Sequence, residues 1–466
     1  MPVDKKPYKK PVDAGSAPKA GTAKRPPSRG NSATKSEVKS AEKPKLDARG
    51  AALIVLREFR QGRDLRTSLN AATDRVADAR DRALAAQIVL GVVRNTALLD
   101  YYVASASNVP LRKIEPQALD ILRAAVYQIA FLDKVPNSAA VNEAVNEARR
   151  KLPRASGFIN AVLRKLGGAI PNVTARTKED RLAIMHSHPV WLVREISARL
   201  GLREAAELLA ANNAEPPVYL RANTLKTTVP QLFAELQEAK LDVTESALSG
   251  TLELRAGGEI ARLSAFRRGD FFVQDPSSTR AAAALGVKPG DIVIDACAAP
   301  GGKSFAMAMM MENRGQIIAF DNEKKLDRIR AGARRLGITI IDARAGDSAV
   351  NINDLHGIAD CVLVDAPCSG FGVIRKKPEI RFKTEADIVG LPPFQLQILR
   401  NCSAYVKPGG RLVYSTCTVL KAENEDVVAA FLAENPNFAL EAQTTLWTHR
   451  EGGDSFFYAV LVKSND

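Results

Sequence analysis

The stretch that decides the fold is Ile292-Val293-Ile294-Asp295-Ala296-Cys297-Ala298-Ala299-Pro300-Gly301-Gly302-Lys303. A short apolar run ends in an acid, small residues and two glycines follow, and a helical pattern begins at once. Small residues let the backbone come close to a ligand, and the first turn of the helix offers free N–H groups to an anion. Two phosphate-binding readings are excluded: a P-loop needs Gly where Cys297 stands, and no G-x-G-x-x-G is present. The turn suits a ligand that carries a carboxylate, such as the methionine part of S-adenosylmethionine.

Outward from this turn, further apolar runs at 316–320, 338–341, 361–364, 411–415 and 456–461 alternate with helical segments. The alternation predicts a parallel sheet with helices on both faces, which binds ligands beyond the carboxyl ends of its strands. Asp321 ends the second strand 19 residues after Gly302, where an acid accepts from both hydroxyls of a ribose; a helix cap is the alternative. Asp347 follows the third strand and meets an adenine amino group or simply makes a turn. Asp365 and Cys368 follow the fourth strand and Cys417 the fifth, so Cys297, Asp321, Asp365, Cys368 and Cys417 are expected around one crevice. Cys361 and Cys402 fall within a strand and a helix and read as buried filler. Four methionines, Met307 and Met309 to Met311, read as a packed helix face.

Two thiols at adjacent strand ends suggest a reaction. The C5 carbon of a pyrimidine is a poor nucleophile toward a methyl donor. A thiolate that adds at C6 makes an enamine whose C5 can attack, and a second residue near C5 then helps remove the proton so that the enzyme leaves by elimination. Lys303 lowers the thiol pKa by its charge, and Asp365 stabilises protonation at N3 and binds the cytosine amino group.

Residues 295–303, the run Asp365-Ala366-Pro367-Cys368-Ser369-Gly370 continuing to Ile380, and Tyr414-Ser415-Thr416-Cys417-Thr418 followed by Glu423-Asn424-Glu425 resemble the RNA cytosine-C5 methyltransferases. Within them the chain is similar to the RsmB (Sun/Fmu) type, which acts on small-subunit ribosomal RNA. Residues 81–85, 135–136, 140–145 and 158–165 resemble its NusB-like RNA-binding domain, and 187–193, 220–224 and 274–275 its connecting segments. The resemblance implies that Cys297, Ala298, Ala299, Pro300, Gly301, Gly302, Lys303, Asp321, Asp347 and Asp365 hold S-adenosylmethionine. It also implies that Cys417 is the nucleophile and that Cys368 assists product release. The family often has Gly after the Asp before its last strand, whereas here Asp454-Ser455 stands, a change expected to affect a loop more than the chemistry. Arg375-Lys376-Lys377 beside Phe382 gains meaning as a substrate contact.

The implied architecture is multidomain: a disordered basic arm (1–48), an all-α NusB-like bundle (49–168), a small α+β linker domain (169–272) and a Rossmann-like α/β class I methyltransferase domain (273–466). Leu119, Leu122, Val126 and Ile129 share one helical face in the bundle. Hydrophobic residues at 46% supply cores, which rules out wholesale disorder, collagen and a disulfide scaffold. The net charge of +14 points to a polyanionic partner, ribosomal RNA, and the first fifty residues carry thirteen basic against five acidic side chains. Five cysteines with no apolar leader predict reduced thiols in a cytoplasm, no run is long enough for a membrane span, and a monomer is expected. His186 and His188 read as a packed turn rather than a metal site, and no metal is expected. The rival functions are a transfer-RNA cytosine methyltransferase and a non-catalytic RNA-binding assembly or transcription factor.

Overall fold

The computed structural model describes residues 46–246, 250–255 and 260–465. All but the last residues of the expected basic arm lie outside that range. From Ala48 to Gly168 the chain forms seven α-helices and no strand. Aspartates start three of them: Asp47, Asp64 and Asp78 accept from the first-turn N–H groups of Gly50, Thr67 and both Arg80 and Asp81. The helix Pro116–Phe131 lies in the centre, with Leu122 and Val126 fully buried and Leu119 and Ile129 packed at the edge of the same core. A neighbouring helix approaches it at Gly91, where a Cβ would stand 2.0 Å from the Tyr127 ring.

The small sheet that follows contains β1 (Val218–Ala222), β2 (Val243–Glu245), β3 (Thr251–Leu254) and β4 (Phe271–Val273), all antiparallel in the order β2-β3-β1-β4. Its core face packs Leu220, Ala222, Leu252 and Phe271 against Leu232 and Leu236 of the helix Val229–Glu238.

The large sheet is built from β5 (Ile292–Asp295), β6 (Gln316–Asp321), β7 (Ile341–Ala345), β8 (Ala359–Asp365), β9 (Val406–Thr416), β10 (Phe438–Leu446) and β11 (Phe456–Lys463). The order is β10-β11-β9-β8-β5-β6-β7, with β5 to β9 parallel and β10 and β11 antiparallel. The alternation along each strand feeds two cores: Val293, Ile317 and Leu363 face one set of helices, Ile294, Ile318 and Val362 the other. The winding order reverses between the parallel neighbours β5 and β8, since β6 and β7 lie on one side of β5 and β8 and β9 on the other, and this is the switch point where such sheets open a crevice. The strand expected at 338–341 begins instead at Ile341, because Gly337 ends the preceding helix in the left-handed region (φ 75°) and Ile338 donates back to Ala333 O. Ile338 is apolar because it plugs that helix end.

One side chain ties these parts together beneath the crevice. Arg381, 4% exposed, donates to the carbonyls of Arg94 in the bundle, His186, Ser187 and Pro378, and to Asn213 Oδ1. Burial pulls its pKa down to about 9, so the cation is held by carbonyl dipoles. The same turn uses Ser187 (φ 53°), whose Oγ accepts from Leu98 N at 3.0 Å, and His188, whose Nδ1 lies 2.7 Å from His186 O. The two histidines therefore sit in a packed turn. Among the described residues there is no metal-ligand cluster, and no single helix is long and apolar enough to cross a membrane.

Candidate active site

β5 delivers Asp295 to the floor of the crevice. It is fully buried; its Oδ2 accepts from Ser304 Oγ at 2.6 Å, its Oδ1 has no partner, and burial pushes its pKa up to about 6. The turn that follows, Cys297 to Gly301, leads into the helix Gly302–Met310. Gly301 is left-handed (φ 107°), and a Cβ there would run into the Phe305 ring at 2.4 Å. Cys297 is half-buried and burial pushes its thiol far up, so it packs rather than reacts. Met307, Met309 and Met311 of this segment are core residues, a packed face.

Asp321 stands at the end of β6 and accepts from Ala299 N at 2.9 Å, from Asn322 N at 2.7 Å and from Lys325 Nζ at 2.9 Å. Burial would raise its pKa; these donors hold it below the usual range. The cap of the next helix is Asn322, whose side chain accepts from Lys324 N, so Asp321 is free of that duty. Asp347 lies exposed at the rim and closes a turn onto Ala349 N at 2.9 Å, and the adjacent Ser348 Oγ donates to Ala296 O.

The registers of β8 and β9 set Asp365 beside Ser415, so Cys368 and Cys417 leave neighbouring strand ends. Their sulfurs are 3.3 Å apart and both residues are partly exposed. Lys303 Nζ lies 2.6 Å from Asp365 Oδ2 and 5.0 Å from the Phe456 ring centroid, while Asp365 Oδ1 accepts from Ser415 Oγ at 3.0 Å. The bond to Cys417, then burial, holds the Cys368 thiol well above its ordinary pKa. The same bond lowers Cys417, against burial and Asp365 and with help from the Lys303 charge. The contact thus pushes the two thiols apart, Cys417 down and Cys368 up.

One expectation is corrected in part. Arg375 spends its guanidinium on the carbonyls of Gly452 and Glu215, and Lys376 lies between Asp275 and Asp454 at 2.5 and 2.8 Å. Phe382 touches Phe59 edge-on and stays 46% exposed, and Lys377 is the exposed cation of that run, so only the Arg375 and Lys376 part of the expectation changes. The Asp454-Ser455 pair belongs to a packed loop. Burial and Asp275 push Asp454 up to about 7, and Ser455 N donates to Gly372 O, three residues past Ser369. Sequence reasoning also passed over Asp295 and Gln274, and it quoted Glu423 and Asn424 without giving them a task. Gln274 is buried with its Nε2 unpartnered, 3.4 Å from where a Cβ of Gly302 would be.

Known proteins share this fold and domain order. Residues 282–462 match the family model described as 16S rRNA methyltransferase RsmB/F, residues 46–167 match the NusB family, and residues 188–260 match the ferredoxin-like domain of RsmF/B-like methyltransferases. The chain is 38% identical over 364 residues to the probable ribosomal RNA small subunit methyltransferase B of Bacillus subtilis, covering 77% of this chain and 81% of that one. Among solved structures, the crystal structure of PH0851 superposes with a TM-score of 0.75 at 28% identity, over 90% of this chain and all of that one. NSun6 from Pyrococcus horikoshii with SFG shares the fold at a TM-score of 0.53 and 23% identity, over 60% of this chain and 99% of that one. With a helical NusB domain, a small sheet domain and a Rossmann-like catalytic domain in that order, the chain belongs to the RsmB/F family of S-adenosylmethionine-dependent 16S rRNA methyltransferases.

Proposed function

We propose that this protein methylates C5 of a cytosine in 16S ribosomal RNA through a covalent adduct between Cys417 Sγ and C6 of the base. The observation that carries the reading is the 3.3 Å contact between two partly exposed sulfurs on neighbouring strand ends, with the Lys303–Asp365 pair beside them. Product release needs a second group next to the nucleophile, and a buried pair of filler cysteines would not face a crevice.

The residues present fit a methyl donor with a carboxylate and a ribose. The first turn of the helix Gly302–Met310 presents N–H groups beside the unpartnered Gln274 amide, and Asp321, whose Oδ2 takes only Ala299 N, keeps a lone pair for a hydroxyl group. The turn Cys297 to Lys303 would hold the amino-acid end, Asp321 the ribose and Asp347 the adenine edge. S-adenosylmethionine supplies a methyl group on a cationic sulfur. Lys303 stabilises the Cys417 thiolate, which adds to C6 and moves an electron pair toward C5. Asp365 faces N3 and the amino group. After C5 has gained the methyl and the Cys417 charge is spent in the bond to C6, Cys368 gives its own proton to solvent and, as a thiolate, takes the C5 proton; the C5–H electron pair forms the C5=C6 double bond, and the bond between Cys417 and C6 breaks, returning its electron pair to sulfur.

The test is a gel. Incubating Cys368→Ala protein with donor and in vitro transcribed 16S RNA should accumulate a protein–RNA adduct stable to denaturing electrophoresis. No adduct, with Cys417 intact and donor still bound, would overturn the assignment.

A further inference from the structure

Two buried residues just past Cys417 are unused by the reaction as described. Glu423 ends a short 3-10 turn and Asn424 follows it; neither has any exposed surface. Glu423 Oε2 accepts from Ser369 N at 2.9 Å and from Gln395 Nε2 at 2.8 Å, and the same Gln395 nitrogen donates to Pro367 O at 2.9 Å. Pro367 and Ser369 are the two neighbours of Cys368. Asn424 Oδ1 accepts from Thr416 Oγ1 at 2.5 Å, and its Nδ2 donates to Thr418 O at 3.0 Å. Thr416 and Thr418 are the two neighbours of Cys417. The two braced loops are joined by Ser369 Oγ and Thr418 Oγ1 at 2.7 Å, and Tyr414 OH anchors the dipeptide by donating to Glu423 O at 2.6 Å.

This is an expensive way to build a core. A carboxylate with no exposed surface, and one oxygen without a partner, costs stability that an apolar side chain would not. We propose that Glu423-Asn424 is a paired positioning unit, with Glu423 fixing Cys368 and Asn424 fixing Cys417, so that both sulfurs meet one base. The proposal rests on the separate roles given to the two thiols above.

The two braces act on different sulfurs, so their loss should stop the reaction at different points. A merely structural role would give one common defect. Glu423→Ala frees the Cys368 loop, so the protein–RNA adduct should form and persist, with turnover down about tenfold. Asn424→Ala frees the Cys417 loop, so adduct formation should slow about tenfold and nothing should accumulate. Glu423→Gln keeps an oxygen for both N–H donors and should restore release to within about threefold of wild type.

The experiment uses the full chain, labelled donor and in vitro transcribed 16S RNA, with single-turnover quenching read on denaturing gels and donor binding read by calorimetry. Identical defects in Glu423→Ala and Asn424→Ala, or wild-type release by Glu423→Ala, would overturn the brace. A Cys368→Ala lane separates the layers: an adduct there but none with Glu423→Ala sinks the brace alone. No adduct in either lane sinks the underlying roles, and the brace with them. If Glu423→Ala binds no donor, Gln395→Met loosens the same loop through Pro367 and must show the persistent adduct for the proposal to stand.

Discussion

The large sheet carries one pair of cysteines in its interior and another on its rim. Cys361 within β8 and Cys402 on the helix Leu391–Ser403 are closed off by apolar neighbours, and burial pushes both thiols up to about 12. Cys368 and Cys417 sit only a few residues beyond the strands, yet they touch each other and one is lowered. Position past a strand end is not enough, since Cys297 beyond β5 is also pushed up by burial; what sets Cys368 and Cys417 apart is that they touch each other beside a buried ion pair. Beyond that end the backbone turns, and polar groups such as Lys303, Asp365 and Ser415 replace the apolar packing.

The harshest way to break this contrast is to remove the lowered thiol. Cys417→Ala should cut methyl transfer more than about 10³-fold while calorimetry still shows donor binding. Comparable activity in that variant would mean that the rim thiols are no more chemical than the core ones. A milder probe takes away the charge that distinguishes the rim. Lys303→Met removes the cation beside Cys417 and leaves Asp365 uncompensated, and both changes disfavour the thiolate. The acid limb of the pH–rate profile should therefore move to higher pH, by about one unit, with transfer at pH 7 down about tenfold. A limb that stays in place would show that the Cys368 contact alone sets the thiolate.

How far this contrast could be read from sequence depends on which forces are local. Short apolar runs marked β5, β6, β8 and β9, and a parallel sheet with helices on both faces followed from their alternation with helical segments. The crevice residues were found because each ends such a run. β10 was missed because its residues from Ala439 to Gln443 are exposed on an edge and carry no alternation. Lys376 was misread because its partners, Asp275 and Asp454, are 101 and 78 residues away, and a cation in a basic run gives no local sign that it is already paired. Glu423 and Asn424 stood beside a recognised motif, but their tasks depend on Ser369 and Gln395, which only the parallel pairing of β8 and β9 brings near.

The gentlest probe works on the interior pair, and it tests whether burial alone explains their silence. Cys402→Ser exchanges a soft, apolar thiol for a hydroxyl among Ile398, Leu399 and Phe431. The helix allows that hydroxyl a partner in its own preceding turn, so the cost should be about 1–2 kcal/mol rather than the full penalty of an unpaired buried group. Cys361 differs, since its sulfur already lies 3.7 Å from Leu285 O, and a serine there can donate to that carbonyl. Cys361→Ser should therefore cost less than Cys402→Ser in urea unfolding, and both variants should keep the wild-type rate of methyl transfer. A fully folded Cys402→Ser protein with impaired transfer would place a core thiol in the chemistry and dissolve the distinction between the interior of the sheet and its rim.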